Sequence, residues 1–218
     1  MVLVISRGEK VLSKQLVKLS LLFIAFTFTA LAQDGLPEIV KKIEPSIIVV
    51  LTYDQDGKLL GQGSGFFINK KGEAITSRHV LEGAIRAEVK TIDGMIYPIA
   101  KIISEDRDSD IIKIEVIIPE SRIYFLEINP KFPEVGERIV VIGSPLGLEQ
   151  TVSDGIVSAV RKIPIFGRII QISAPISPGS SGSPVTNLKG EVIGVATFQM
   201  VEGQNLNFAI PGSRILEL

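Results

Sequence analysis

Ala87-Glu88-Val89-Lys90-Thr91-Ile92-Asp93-Gly94-Met95-Ile96-Tyr97-Pro98-Ile99-Ala100-Lys101-Ile102-Ile103 reads as two strands joined by a two-residue turn. Asp-Gly between apolar runs is a strong hairpin signal, because the favoured turn needs positive φ at both central positions. Further strands surround it. On the N-terminal side, Ile47–Tyr53 is a β-branched run ended by the turn residues Asp54-Gln55-Asp56-Gly57. Gly65–Ile68 and Ala74–Val80 flank Asn69-Lys70-Lys71-Gly72 as a second hairpin, and Ile111–Ile118 is another strand. Asn129–Glu137, with Pro130, Pro133 and Gly136, reads as a connector. Beyond it, Arg138–Ile142, Gln150–Val160, Arg168–Ser173, Pro184–Thr186, Glu191–Phe198 and Asn205–Ile210 are short strands separated by Gly and Pro. Helical periodicity is confined to Leu36–Glu44, with Leu36, Ile39, Val40 and Ile43 on one face and Pro45 as the stop.

Two groups of about six short strands predict an all-β chain of two six-stranded antiparallel β-barrels with short helical turns. The first barrel spans about residues 45–128 and the second about 134–211. The chain has 218 residues, 45% hydrophobic and 22% charged, so it can bury a core and is too apolar for disorder. It holds no Cys and a single His. That excludes a disulfide scaffold, thiolate metal sites, a cysteine nucleophile and a multi-histidine metal centre. A net charge of -1 gives no reason to expect nucleic acid as partner.

The first 18 residues carry Arg7, Lys10, Lys14 and Lys18 against one acid, Glu9. An apolar run from Leu19 to Thr29 follows, then Ala30-Leu31-Ala32. This order predicts a secretory signal peptide over residues 1–32, cut near Ala32, in an exported, periplasmic or secreted protein whose mature domain is 33–218. Removing four bases and one acid leaves 19 basic and 23 acidic residues, a net -4. The alternative is an uncleaved N-terminal membrane anchor. The 14 residues from Leu19 to Ala32 are short for it, since a span needs roughly 20.

Three stretches carry the residue types of nucleophilic catalysis. His79 sits in Thr76-Ser77-Arg78-His79-Val80, at a strand end running into Leu81-Glu82-Gly83-Ala84, which can form a helical turn. Ser181 sits in Ser177-Pro178-Gly179-Ser180-Ser181-Gly182-Ser183-Pro184, where glycines let backbone N–H groups turn toward one point, as an oxyanion hole requires. Asp110 abuts Ile111–Ile114 and can be drawn inward with that strand, to hold an imidazole in the correct tautomer. Its neighbours Glu105, Asp106 and Asp108 read as a solvated acidic turn. Chain order discriminates between folds. An α/β-hydrolase needs Ser before Asp before His, and a G-x-S-x-G elbow; here the order is His, Asp, Ser across two barrels, the chymotrypsin arrangement.

From Pro45 to Pro211 the chain resembles the trypsin-like serine proteases of the HtrA/Deg type. The resemblance rests on Gly63-Ser64-Gly65-Phe66, Thr76–Val80, Asp110-Ile111-Ile112-Lys113-Ile114, Gly143-Ser144-Pro145-Leu146-Gly147-Leu148, and Gly155-Ile156-Val157-Ser158 within Thr151–Ala159. Gly179–Gly182, Asn187, Gly190, Gly194 and Asn207-Phe208-Ala209-Ile210-Pro211 complete it. It implies a serine endopeptidase acting on unfolded or damaged protein in quality control. Ser181 is then the nucleophile, His79 the general base and acid, and Asp110 the orienting acid. The N–H groups of Gly179 and Ser181 form the oxyanion hole.

On the family pattern Ile176, Phe198 and Gln199 line the primary substrate pocket, which lacks a carboxylate at Pro175 or Ile176 and so suits small aliphatic residues. The resemblance implies polypeptide substrates, no cofactor, no metal, and a homo-oligomer, a trimer on the family pattern. The chain also departs from the family. Gly179-Ser180-Ser181-Gly182-Ser183 stands where Gly-Asn-Ser-Gly-Gly is usual, and Ser183 is expected to add a side chain near the site. The C-terminal PDZ domain usual in the HtrA type is not expected after Leu218. The alternative from another functional class is a non-catalytic peptide-binding module on the same scaffold, since fold alone does not fix function.

Overall fold

The computed structural model describes residues 35–144, 151–164, 167–199 and 206–218, with Phe198 and Gln199 as backbone only. The expected signal segment, the alternative anchor and Pro145–Leu148 lie outside them. Strands β1 (Ile47–Tyr53), β2 (Leu59–Phe67), β3 (Glu73–Ser77), β4 (Arg86–Thr91), β5 (Ile96–Asp106) and β6 (Ile111–Val116) close into a barrel in the order β1-β2-β3-β6-β5-β4. Strands β7 (Arg138–Gly143), β8 (Thr151–Ile163), β9 (Gly167–Ile172), β10 (Pro184–Asn187), β11 (Val192–Gln199) and β12 (Asn207–Pro211) close a second, in the order β10-β11-β12-β9-β8-β7. Neighbouring strands pair antiparallel, and the two six-stranded barrels match the expectation.

Several strands read as continuous apolar runs rather than alternating ones, because both of their faces are buried. Successive side chains on a strand point to opposite sides. In β1, Ile47 packs between the barrels while Ile48 and Val50 fill the first barrel. The same division separates Phe66 from Phe67, and Ile111 from Ile112. In β7, Val140 and Ile142 face the first barrel while Ile139 and Val141 fill the second. Three cores result, one inside each barrel and one between them. Without any cysteine, this shared core holds the two barrels in register.

The helix Leu36–Ile43 starts with Pro37 in its first turn, where a missing N–H costs nothing. It buries Ile39 and Ile43 in the core between the barrels. Pro45 follows within a 3₁₀ turn, Glu44–Ser46. A short helix, Gly212–Leu216, closes the chain after β12 and buries Ile215 in the same core. Among the described residues no helix is long and apolar enough to cross a membrane.

Candidate active site

Strand pairing brings the histidine and the aspartate together. Ser77, the last residue of β3, lies opposite Ile111, the first of β6. The chain leaves β3 in a 3₁₀ turn, Arg78–Leu81, which carries His79, while Asp110 immediately precedes β6. The Arg78 N–H donates to the Asp110 carbonyl (2.9 Å) and the His79 N–H to Asp110 Oδ1 (2.9 Å). The imidazole Nδ1 lies 2.5 Å from Asp110 Oδ2. A carboxylate only accepts, so Nδ1 carries the proton and Nε2 is left as the acceptor. The hydrogen bond to Asp110 raises the His79 pKa above its ordinary value; partial burial opposes this, and the Asp110 and Glu82 charges reinforce it.

Asp110 has φ +55°, the one non-glycine residue in the left-handed region among those described. For a residue with a Cβ this conformation costs on the order of 1–3 kcal/mol and persists only where its surroundings hold it. Here the backbone bonds to Arg78 and His79 do part of that holding.

Ser181 lies on the loop between β9 and β10, half-buried beside β11. Two bonds sew the loop to that strand: the Gly182 N–H donates to the Ala196 carbonyl and the Ala196 N–H to the Ser183 carbonyl, each at 2.9 Å. The Ser181 hydroxyl donates to the Thr197 carbonyl (3.4 Å), and the Thr197 hydroxyl donates to Asp110 Oδ2 (3.4 Å). Thr197 thus joins the serine to the His79–Asp110 pair across the barrel boundary. Among the described residues no hydrogen bond links Ser181 Oγ directly to the imidazole.

The first barrel also grips this loop, through Ser64 on β2. Its N–H donates to the Ser181 carbonyl (2.9 Å) and its hydroxyl to the Gly179 carbonyl (2.7 Å). Ser64 Oγ in turn accepts from the Ser144 N–H, and the Ser64 carbonyl accepts from the Thr76 hydroxyl. The N–H groups of Gly179 and Ser181 donate to no group among the described residues. Gly179 (φ +97°) and Gly182 (φ +88°) supply the backbone freedom for this shape. A side chain on Gly182 would also run into the Ser64 carbonyl.

Of the expected pocket residues, Ile176 is buried in the core of the second barrel, beside Ala174 and Ile172. Phe198 and Gln199 are backbone on β11, opposite Phe208 and Asn207, and their side chains lie outside the described atoms. Among the described residues no group of His, Asp and Glu gathers as a metal site would require.

One expectation needs correction. Asp106 is not solvated: it is half-buried and ion-paired with Arg214, and against the opposing burial the Ser109 hydrogen bonds, followed by Arg214, hold its carboxyl below the usual range. Ser183 is fully buried, its hydroxyl packed where a Cβ on Gly143 would stand. Ser64 and Thr197 went unread in the sequence as contributors. Ser64 lies within the quoted Gly63–Phe66 motif, but its partners on the nucleophile loop are more than a hundred residues away. No local pattern marks Thr197.

The trypsin-like peptidase domain family matches residues 63–195. The periplasmic serine endoprotease DegP of Salmonella typhimurium is 34% identical over 172 residues, covering 75% of this chain and 36% of that protein. Serine protease HTRA1A of Danio rerio is 33% identical over 193 residues, covering 82% and 39%. The crystal structure of the serine endoprotease from Yersinia pestis superposes with a TM-score of 0.75 at 27% identity, covering 84% of this chain and 65% of that one. The chain spans about two fifths of the length of the curated relatives it matches. With its two closed barrels and these likenesses, the chain belongs to the trypsin-like peptidase family, as a protease domain of the HtrA type.

Proposed function

We propose that the chain is a serine endopeptidase in which Ser181 is the nucleophile, His79 the general base and acid, and Asp110 the acid that orients the imidazole. The single observation carrying this reading is the 2.5 Å contact between His79 Nδ1 and Asp110 Oδ2, which leaves Nε2 free to accept a proton. Ser181 Oγ turns from the Thr197 carbonyl toward Nε2 when substrate enters, since such bonds are often loose before binding. It attacks the scissile carbonyl and gives its proton to His79. Asp110 stabilises the imidazolium so formed, which then protonates the leaving amine. The N–H groups of Gly179 and Ser181 receive the oxyanion, where a preorganised donor is worth about 10²–10³ in rate. A water then hydrolyses the acyl-enzyme by the same route in reverse.

The substrates are polypeptides, unfolded or damaged ones, in a quality-control role. The primary pocket, lined by Ile176, Phe198 and Gln199, takes small aliphatic residues. The chain is exported and cut near Ala32, and works as a homo-oligomer, a trimer on the pattern of the family it resembles. The basic-then-apolar start of the sequence supports export, as does the likeness to the Salmonella relative, a periplasmic endoprotease. The test is degradation of a denatured protein and of fluorogenic peptides by wild type and Ser181→Ala. The variant is expected to lose about 10⁴–10⁶ in rate while keeping its fold. Undiminished cleavage by that variant overturns the assignment.

A further inference from the structure

The helix after β12, on the second barrel, sends Arg214 back across the barrel boundary to the turn that carries Asp110. Its Nη2 pairs with Asp106 Oδ2, and its Nε donates to Ser109 Oγ at 2.9 Å. Nη1 donates to Oε2 of Glu217, which caps the end of its own helix (3.0 Å). The two ends of the turn are also joined internally, because the Ser109 N–H donates to Asp106 Oδ1 (3.1 Å). Ser109 is almost wholly buried, and it is the residue whose peptide leads into the left-handed Asp110. The bond within the turn from the Asp110 N–H to the Arg107 carbonyl is long, at 3.4 Å, and by itself a weak restraint.

A guanidinium is suited to this task. Its planar fork of donors can hold two acceptors at fixed separation, where an ammonium acts as one point charge. The pair with Asp106 is half-buried, so water screens it less than an exposed pair. The strain at Asp110 has to be held from outside the turn, and from the barrel that carries Ser181 the guanidinium reaches the turn's Asp106 and Ser109, beside the long Thr197 hydroxyl contact on Asp110 Oδ2.

We infer that Arg214 is a positioning residue: it staples the Asp106–Asp110 turn of the first barrel to the second, and so keeps the Asp110 carboxylate against His79. The inference rests on the triad proposed above and adds the device that aligns its two halves. Loss of the staple lets the turn relax toward ordinary backbone and lengthens the His79–Asp110 bond. Besides Asp110, the charged groups facing the imidazole are Glu82 and Arg78, both on its own turn. Neither is touched by Arg214.

Because His79 is the one imidazole of the chain, a single ring resonance in proton NMR reports its titration without assignment. Arg214→Met keeps the apolar stem and removes the fork. It is expected to move the His79 midpoint down toward about 6.5, the unperturbed value. It should also lower kcat/KM by about 10- to 100-fold through kcat, as small misplacements do. Arg214→Lys should fall between, since one ammonium cannot serve both acceptors. Asp106→Asn should reproduce the shift and add nothing to Arg214→Met, because the two form one unit.

If Arg214→Met does not fold, Asp106→Asn and Ser109→Ala each cut one arm and carry the same readout. A lower melting temperature with an unmoved His79 midpoint in these variants means that Arg214 is merely structural, and overturns the inference. Failure of the triad itself looks different: wild type ignores a fluorophosphonate, while the His79 midpoint still moves in the variants.

Discussion

The hydroxyl of Ser64, on a strand of the first barrel, donates to the carbonyl of Gly179 at 2.7 Å, across 115 residues of sequence. With the Ser64 N–H on the Ser181 carbonyl, this bond anchors the nucleophile loop from Gly179 to Ser181 on the first barrel. Ser64→Ala removes the hydroxyl and leaves the backbone bond. It also leaves the buried Ser144 N–H without its acceptor, a loss worth about 1–3 kcal/mol. We expect kcat to fall about tenfold or more with KM little changed, since each 1.36 kcal/mol of transition-state stabilisation is a factor of ten. A peptide boronate, which mimics the tetrahedral state, should lose affinity in parallel. Equal losses for boronate and substrate binding would contradict the link to the oxyanion site.

Activity should depend on one proton. His79 must be neutral to act as base, and its pKa is raised chiefly by the Asp110 hydrogen bond. The acid limb of kcat/KM should therefore have unit slope and a midpoint above about 6.5. The stability linkage follows the same sign. A raised folded value means that the His79–Asp110 interaction contributes fully below about 6.5 and is lost as pH rises through the folded midpoint. Asp110→Asn should shift the His79 midpoint downward. A pH–rate profile beside circular dichroism checks both points, and a slope of two with the fold intact would contradict a single base.

The buried hydroxyl of Ser183 occupies the space that a Cβ on Gly143 would need. It finds no hydrogen-bond partner among the described residues. Gly143→Ala should therefore destabilise the chain by about 1–3 kcal/mol through overpacking. Ser183→Gly should recover most of that loss in the double variant. Denaturant melts of the four proteins in the cycle measure the coupling, and simple additivity would show that the two sites do not share the space.

Much of the fold was legible because the strands are short and their boundaries are punctuated. Ile47–Tyr53 is legible to the residue, and the hairpin forms at Asp93-Gly94, but as a three-residue loop, Ile92–Gly94, closed by the Thr91 N–H on the Met95 carbonyl, in which Gly94 alone has positive φ. The beginning of β2 was missed for a physical reason. Glycine usually weakens a strand, yet Gly63 and Gly65 are needed where β2 is closely approached: side chains there would meet Val80 and the Ile75 carbonyl. The His, Asp and Ser candidates were visible as residue types in a known order. Ser64, Thr197 and the Asp106–Arg214 pair were not, because each acts on a partner distant in sequence and local pattern carries no trace of such pairs.

Substrate choice tests the pocket separately from the triad. Peptides with Val or Ala before the scissile bond should be cut faster than those with Arg or Lys, because a cation buried beside Ile176 would lack a partner. Discrimination among aliphatic residues should stay loose, at about 1–3 kcal/mol per methylene. A peptide library read by mass spectrometry gives the order, and dominance of basic residues would contradict the pocket assignment while leaving the triad untouched.

The central claim is that Ser181 is a nucleophile activated by His79, and active-site titration with a fluorophosphonate tests it most directly. The account predicts one covalent adduct per chain, located on Ser181 by peptide mass spectrometry. Labelling should slow as pH falls through the His79 midpoint and be absent in Ser181→Ala. A folded wild type that takes up no adduct, or an adduct that persists on another residue when Ser181 is replaced, would contradict it.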